Sequence, residues 1–401
     1  MKRGQNMMSA RRTNRQLVLR HIMLRPGIAR QTLAELTGLT PASITNITGV
    51  LLKDHWIVEE GPGSGPRSVG RPSIGLKVAS GTHLMAAVHL QRRLVTVGLA
   101  ELDGTLVVTE QDALEERPDP RRSVGQVKQL LAEIVRRVRP PHVLGVGIGA
   151  SGIVDYARAT IRVSPHYGWA NVPFGAWLAE AVGLPVVMDN NVRGMALAEH
   201  LMGSHRDAWW LAFLYVGQGI AAGIWADGRV YRGARGIAGE IGHTTVVPDG
   251  EPCWCENRGC LERYLSEEAL RRQCGSEWST PIDEMLAAAP ARVQEQTAHL
   301  LAIALTNLEN TYDPDVIVLG GWVDKVWPMV RDHVMDKFAA RTAHWPYPPV
   351  RVVPSSFGDD IGLIGSAAIG LGQLVYGMGE EDWQPLASPR MIRKEQPETV
   401  D

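Results

Sequence analysis

The sequence contains no uninterrupted apolar stretch of about 18 residues, the length that a membrane-spanning helix needs. Its first residues, Met1 to Asn6, are not followed by the apolar segment of a secretory signal. With 45% apolar and 21% charged residues, the composition is neither that of a disordered chain nor that of a fibrous one. We therefore expect a globular protein of the bacterial-type cytoplasm that has no membrane partner.

The net charge of -2 is unevenly distributed along the 401 residues. Residues 1–80, called the head below, contain 12 Lys+Arg and 4 Asp+Glu, whereas the remainder contains 29 and 39. A head of charge +8 on a remainder of charge -10 suggests a polyanionic partner such as nucleic acid. The alternative is an incidental run of surface arginines. The chain is also too long for one compact core, which favours a small module joined to a larger one.

Apolar spacing in the head predicts three helices. They cover Asn14–Leu24, Arg30–Thr37 and a third segment that begins with Pro41 and contains Ile44, Ile47 and Leu51. Gly38 is placed to end the second helix, because glycine tolerates the positive φ found there. Thr40 is placed to cap the third helix at its first turn. Two helices joined by a short turn in this way form a helix-turn-helix.

The third predicted helix has the short polar side chains that suit a recognition helix. Ser43, Thr45 and Asn46 lie near its N-terminus and away from its apolar face, where such helices meet base edges. The Gly- and Pro-rich segment 61–72 then lies between two predicted strands and forms a wing. Its Arg67 and Arg71 are candidates to enter a narrow minor groove. Three-helix modules also dock proteins, but charge, wing and helix face together favour DNA.

The remainder of the chain shows one pattern twice. Apolar runs over Leu84–Leu102 and Trp210–Ala226 end at the turns Asp103-Gly104 and Asp227-Gly228, which predicts two hairpins. Each hairpin is followed by alternating helices and buried strands; the strands include Val143–Ile148, Pro185–Met188 and Val316–Leu319. We expect two related α/β lobes on either side of a ligand-binding cleft.

Cysteine is scarce, but three of the four cysteines lie within eight residues. Cys253, Cys255 and Cys260 follow His243, and three thiolates with one imidazole are a ligand set that suits tetrahedral zinc. Disulfides are the competing use, disfavoured in a reducing cytoplasm, and isolated buried thiols are the other alternative. Cys274 falls outside the spacing and is expected to be a free thiol.

Three segments together resemble the ROK family of repressors and sugar kinases. They are Gly236–His243 (GIAGEIGH), the run from Cys253 to Glu262, and Asp189–Val192 leading to Glu199. The resemblance implies an α/β body with a two-lobed, actin-like ATPase fold of the ribonuclease H-like type. With the N-terminal winged helix-turn-helix, the chain resembles the repressor branch, particularly its xylose-responsive and related sugar regulators.

The resemblance also implies which residues contact a sugar. Matched position by position, they are Asn190, Asn191, Glu240, His243 and Glu262, with His243 also a zinc ligand. Carboxylates and amides can fix the stereochemistry of adjacent hydroxyl groups, each of which donates and accepts. For each residue alone, the alternative is a surface or helix-capping role.

Two departures from the pattern of the family's kinases argue against catalysis. Asn191 stands where the kinases have the aspartate base, and an amide does not take a proton from a sugar hydroxyl at neutral pH. The segment 89–93 (HLQRR) stands where the kinases have a Gly-rich phosphate loop, so bulky side chains replace the glycines. Glycines do persist over 217–223, although a hairpin turn alone can require them.

We therefore predict a sugar-responsive DNA-binding regulator, a repressor released from its operator by a monosaccharide, and not an enzyme. The predicted parts are the head at 1–80, lobes at 81–200 and 201–378 with the last helix returning to the first lobe, and a polar tail at 379–401. Two such heads on a homodimer or higher homo-oligomer would read a symmetric operator. The alternatives are an active ATP-dependent sugar kinase with an appended DNA-binding head and a regulator controlled by a protein partner.

Overall fold

The computed structural model describes residues 7–62 and 74–378, and Arg67, Arg71 and the predicted tail 379–401 lie outside the described residues. A small head of three helices and a three-stranded sheet is joined to a body that contains two five-stranded sheets. This confirms the predicted α/β class, with a helix-turn-helix head on a two-lobed body.

The helix-turn-helix has the bounds that its caps predict. In chain order the head contains α1 (Met7–Leu24), β1 (Ile28–Ala29), α2 (Arg30–Thr37), α3 (Pro41–Lys53), β2 (Ile57–Pro62) and β3 (Ile74–Val78). Gly38 ends α2 with φ 67°, and its N–H donates to the carbonyl of Ala34. The Thr40 hydroxyl caps α3 by accepting from the Ser43 N–H. Helix α1 begins earlier than predicted, because residues 7–13 lack the apolar spacing that marks its later part.

The first lobe is built on a sheet of order β11-β7-β4-β5-β6. Its elements are β4 (His83–Gln91), β5 (Leu94–Ala100), β6 (Leu106–Ala113), α4 (Pro120–Val138), β7 (His142–Ala150), β8 (Ile153–Asp155), β9 (Thr160–Ser164), β10 (Trp169–Val172), α5 (Phe174–Val182), β11 (Val186–Asn190) and α6 (Asn191–Leu201). Strands β4 to β6 are antiparallel, and β7 and β11 continue the sheet in parallel with β4. Strands β8 to β10 form a separate small sheet.

The second lobe repeats this topology, with strand order β14-β13-β12-β15-β16. Its elements are β12 (Trp210–Val216), β13 (Ile220–Ala226), β14 (Arg229–Val230), α7 (Glu262–Leu265), α8 (Glu267–Cys274), α9 (Ile282–Ala287), α10 (Ala291–Tyr312), β15 (Val316–Gly321), α11 (Trp322–Thr342), β16 (Arg351–Pro354) and α12 (Ile361–Gly370). The shared order of antiparallel and parallel strands confirms the duplication.

The predicted turn positions need a correction. Each expected hairpin is a meander of three strands, and the Asp-Gly turns join the second strand to the third. The first meander's earlier turn lies at Arg92-Arg93, where Arg93 adopts φ 63°. Neither arginine is a typical turn residue, and the apolar residues on both sides made the two strands look like one run.

Helices α6 and α12 lie between the two sheets and join the head to the body. Helix α12 packs against β4, β7 and α6, and α6 also contacts β12 and β13. The head shares one apolar cluster with this layer, in which Val18 and Ile22 of α1 join Leu201 and Tyr376 of the body. The head is therefore packed on the helix layer between the lobes. The residue boundaries of the three parts stay a prediction.

Candidate functional site

A cleft of about 710 Å³ lies between the two lobes. Its walls include the ends of β4 and β11 from the first lobe, and the β12–β13 turn and the start of α11 from the second. The residues predicted to contact a sugar all line it: Asn190, Asn191, Glu240, His243 and Glu262. The structure therefore brings together side chains that are up to 72 residues apart in the sequence.

Asn190 and Asn191 lie at the junction of β11 and α6. The Asn190 Oδ1 accepts from the N–H groups of Val192 and Arg193, at 2.9 and 3.2 Å, and so caps α6. Its Nδ2 donates to the Gly152 carbonyl at 3.0 Å. Asn190 is buried and has the capping role, whereas Asn191 is half-buried at the cleft wall. Of the two, Asn191 is the better placed to meet a ligand.

Glu240 is positioned by a segment that lies very close to β13. Gly239 has φ 92°, and a Cβ there would lie 1.9 Å from the Ala222 carbonyl oxygen. The Ala222 N–H donates to the Gly239 carbonyl at 2.7 Å. Arg193 holds the other end of the segment by donating from Nη1 to the Gly236 carbonyl at 2.9 Å. Only glycine fits at position 239, and this approach sets Glu240 at the cleft.

Both carboxylate oxygens of Glu262 are held by donors. Oε2 accepts from the Ile220 N–H at 3.0 Å, and Oε1 accepts from the Trp254 indole N–H at 2.9 Å. Trp254, which lies between Cys253 and Cys255 in the sequence, is placed by the structure in the cleft wall. His166, which also lines the cleft, was missed, because it lies in a loop with no motif.

Burial changes the acid–base behaviour of two cleft residues. Burial raises the pKa of Glu240, and the nearby His243 and Arg193 lower it in part. Burial lowers the pKa of His166, while Glu262 opposes this change. The Glu240 carboxyl therefore takes up a proton, and becomes a hydrogen-bond donor, at a higher pH than an exposed glutamate does.

A buried ion cluster lies next to the residues predicted to bind a sugar. Asp189 is buried and accepts from Arg193 Nε at 2.8 Å and from Arg232 Nε at 2.8 Å. Arg193 connects this cluster to Gly236, so the strand that ends at Asn190 is tied to the segment that carries Glu240. The Asp189–Arg193 contact could have been expected from the sequence, because the two residues are four positions apart. The contact with Arg232 has no such signal.

The four predicted metal ligands form one cluster. The candidate ligand atoms of His243, Cys253, Cys255 and Cys260 all lie within 4.8 Å of one another. Cys253 Sγ is 3.6 Å from His243 Nδ1, and Cys255 Sγ is 3.6 Å from Cys260 Sγ. Ligand atoms at these separations fit around one tetrahedral ion with metal–sulfur distances of about 2.3 Å. All four cysteines are free thiols. The cluster can therefore hold a metal ion.

The Arg92-Arg93 turn between β4 and β5 is bound in ion pairs. Arg92 contacts Glu268 across the cleft at 3.2 Å, and Arg93 contacts Glu116 at 3.0 Å. Gly217 lines the cleft from the second lobe. Local packing favours glycine at this position, because a Cβ there would lie 2.4 Å from the Tyr215 hydroxyl. Gly217 is therefore explained without a phosphate.

The face of α3 predicted to meet DNA points away from the packed interior of the head. Ile44, Thr48 and Leu51 are buried, whereas Thr45 and Asn46 are exposed and Ser43 is half-exposed. The Ser43 hydroxyl lies 2.9 Å from that of Thr40, and the Thr45 hydroxyl donates to the Pro41 carbonyl at 2.9 Å. These contacts orient both side chains at the N-terminal end of the helix.

Across residues 7–62 and 74–378, none of the helices combines the length and apolar character needed to cross a membrane.

The fold and cleft define a class of two-lobed α/β proteins that includes sugar kinases and regulators. Residues 92–372 match the model of the ROK family. The chain belongs to the ROK family.

Similar proteins fall into both functional groups of that family. The xylose repressor of Caldicellulosiruptor bescii is 29% identical over 334 residues, which cover 77% of this chain and 82% of that protein. A crystal structure of a ROK family transcriptional regulator, a homologue of the E. coli MLC protein, has a TM-score of 0.76 and 26% identity, covering 92% and 97% of the two chains. A ROK family glucokinase from Streptomyces griseus, in complex with glucose and AMPPNP, has a TM-score of 0.61 and 25% identity, covering 72% of this chain and 99% of its own.

Proposed function

We propose that this protein is a sugar-responsive transcription repressor. Its head binds operator DNA, and a sugar in the cleft between the lobes weakens that binding. The main support is that one chain contains both an exposed helix of the recognition type and a cleft lined by the five residues predicted to contact a sugar. The similarity to a xylose repressor makes D-xylose the first effector to test.

The DNA contacts follow from the geometry of a recognition helix. Asn46, Thr45 and Ser43 would read base edges in the major groove. Arg67 and Arg71, which lie outside the described residues, would reach the adjacent minor groove. A homodimer in the cytoplasm would present two heads to the half-sites of one operator, one or more helical turns apart.

The body is proposed to bind sugar without phosphorylating it. A kinase needs a base at the sugar hydroxyl and cations for the transferred phosphate. Asn191 does not provide the base, and Arg92 is bound to Glu268 where a phosphate loop would lie. Glu240, Glu262 and Asn191 retain the acceptors and donors that a sugar requires.

The metal cluster is proposed to hold one zinc ion. Three thiolates and one imidazole are the donor set of structural zinc sites, and structural zinc contributes directly to folding. Residues His243 and Cys253–Cys260 lie between Glu240 and Glu262 in the sequence, so the ion would fix the loop that joins these two ligands. His243 Nδ1 faces the thiols, which leaves Nε2 as the ring nitrogen for the cleft.

The proposal is tested by measuring operator binding with and without sugar. Genomic footprinting of the purified protein would identify the operator, and fluorescence anisotropy would give its affinity. We expect protection of an approximately two-fold symmetric site, and release when an effector sugar is added. Sugar-dependent consumption of ATP by the same preparation would identify a kinase instead. An operator complex that no sugar alters would favour control by a protein partner.

A further inference from the structure

Two tryptophan side chains in the cleft are half exposed although each is held by a protein contact. Trp254 is 52% exposed, donates to Glu262, and has its ring perpendicular to that of His243 at a centroid distance of 4.6 Å. Trp278 is 55% exposed and lies under the Arg271 guanidinium, which is 4.9 Å from its ring centroid. Large apolar surface left exposed in a cleft marks a ligand-binding surface. Aromatic faces of this kind pack against the apolar C–H face of a sugar ring.

A third tryptophan lines the same cleft and lacks a hydrogen-bond acceptor. Trp322 is the first residue of α11, and its indole Nε1 is buried with no partner among the described residues. A buried donor without an acceptor destabilises the folded protein. Trp322 therefore carries an unsatisfied donor next to the cleft.

The charges in this part of the cleft oppose a nucleotide. In the described part of the chain, the cations that line the cleft are each paired with a carboxylate: Arg92 with Glu268 at 3.2 Å, Arg271 with Glu267 at 2.7 Å, and Lys325 with Asp359 at 3.0 Å. Glu240 and Glu262 add further negative charge. A triphosphate would meet cations that are already neutralised and carboxylates that repel it. Neutral hydroxyl groups, in contrast, hydrogen-bond to carboxylates and to paired cations alike.

The cleft is also larger than one sugar ring requires. Its 710 Å³ falls within the range of about 300–1,000 Å³ found for pockets that enclose drug-sized ligands. The predicted ligands Glu240, His243 and Glu262 account for only one part of its lining. Trp278 and Trp322 line another part of it.

We propose that the effector is a disaccharide or longer oligosaccharide. One ring lies at Glu240, Asn191 and Glu262, and a second ring stacks on Trp278 at another part of the cleft wall. This inference rests on the proposed function, since it extends the same cleft by a second binding position. It predicts that two linked rings bind more tightly than one ring of the same sugar.

The test compares matched saccharides on the full-length protein. Isothermal titration calorimetry with D-xylose, xylobiose and xylotriose, and with D-glucose and cellobiose, gives the affinity for one ring and for linked rings. For the sugar type that the cleft accepts, we expect the disaccharide to bind about tenfold more tightly than the monosaccharide, since an aromatic contact of about 1.4 kcal/mol corresponds to that factor. ATP with Mg²⁺ is titrated separately and in competition with the disaccharide.

Substitutions of Trp278 test whether a loss of affinity comes from lost stacking or from misfolding. Trp278→Ala is expected to reduce the disaccharide-to-monosaccharide affinity ratio to about one, and Trp278→Phe, which keeps an aromatic face, to preserve most of it. Trp345→Ala is the matched control, because Trp345 is similarly exposed but lies outside the cleft and donates to Asn310. Thermal melting and operator binding verify that each variant is folded.

The outcomes distinguish this inference from the proposed function. A monosaccharide that binds as tightly as its disaccharide and releases the operator would overturn the second binding position and leave the repressor intact. Competition between ATP and the disaccharide, with tight ATP binding, would assign this space to a nucleotide and overturn the inference. No response of the operator complex to any saccharide would contradict the proposed function itself.

Discussion

Glu240 is the residue at which the sugar response can be removed with the smallest change. Glu240→Gln keeps the size of the side chain but removes the charge, and losing a charge-assisted hydrogen bond costs about 1.5–3 kcal/mol. We expect sugar affinity to fall about 10- to 150-fold, with operator affinity unchanged. Calorimetry and anisotropy on the same preparation measure the two quantities.

Glu284→Gln is the control for this substitution, because Glu284 is exposed on α9 and away from the cleft. It should leave both affinities unchanged. Equal sugar affinity in Glu240→Gln and in the unmodified protein would show that the Glu240 carboxylate does not contribute to sugar binding.

The residues of the site differ in how far the sequence could assign them. Glu240, Glu262 and the four metal ligands belong to compact motifs, and the motif spacing sufficed to bring them to one place. Asn190 was assigned to the sugar, but its amide caps α6, a role that depends on where the helix begins. His166 and Trp278 carry no motif, and only the path of the chain brings them to the cleft.

The loop that contains the metal cluster connects Glu240 to Glu262 in the sequence. Cys255→Ser removes one thiolate ligand, so we expect loss of the bound zinc and weaker sugar binding, because Glu262 follows the loop directly. Operator binding by the head should change much less. Elemental analysis of the purified protein and calorimetry with the effector measure the two effects.

Cys274→Ser is the matched control, since Cys274 is a free cysteine outside the cluster. It should retain one zinc per chain. Freshly purified unmodified protein without zinc would contradict the assigned metal.

Helix α3 is the element proposed to read the operator. Asn46→Ala is expected to cost about 1–3 kcal/mol of operator affinity and to relax specificity at one base pair in each half-site. Gln129→Ala, on an exposed position of α4 in the body, serves as a control. Anisotropy on the operator and on variants of its base pairs measures both effects. An unchanged sequence preference in Asn46→Ala would place the recognition face elsewhere.

The bounds of elements were predictable where caps and turns mark them. Thr40, Pro41 and Gly38 fixed α2 and the start of α3, whereas the turn at Arg92-Arg93 was missed, because arginine is not a turn residue and the strands on both sides are apolar. The antiparallel and parallel pairing within each sheet depends on contacts between distant segments. Local spacing does not specify such contacts, although the repeated Asp-Gly turns did indicate the duplication.

At the scale of the whole molecule, buried histidines make stability depend on pH, and His89 and His200 are two of them. Burial lowers the pKa of His89 to about 4 and that of His200 to about 3, and Arg20 and Arg206 add to the effect at His200. Both rings stay neutral in the folded state but take up a proton in the unfolded state below about pH 6.5. Their contribution to stability is therefore present above about pH 6.5 and is lost as the pH falls towards 4.

We expect each of the two histidines to lower the free energy of unfolding by about 2 kcal/mol between pH 7 and pH 5. Urea unfolding at a series of pH values measures this slope. His200→Phe should reduce the slope, whereas His299→Gln, at an exposed position, should not. A free energy of unfolding that does not fall between pH 7 and pH 5 would contradict the neutral, buried state of these rings.

The packing of the head on α6 gives the sugar a physical route to the DNA. Helix α6 begins beside the cleft at Asn191 and ends at Leu201, in the apolar cluster that includes Val18 and Ile22 of α1. A sugar that draws the lobes together acts on the layer against which the head is packed. In the proposed homodimer, it would shift the arrangement of the two heads only by as much as it prefers the closed form.

The central claim is that one sugar-binding event in the cleft lowers the affinity of the head for its operator. The most direct measurement is the operator dissociation constant of the full-length protein at zero and saturating effector, at fixed salt concentration, with Glu240→Gln measured in parallel. A coupling of about 1–3 kcal/mol predicts a five- to 150-fold weakening in the unmodified protein, and the same weakening in Glu240→Gln only at effector concentrations about 10- to 150-fold higher. An effector that binds the cleft while leaving the operator dissociation constant unchanged would contradict the claim.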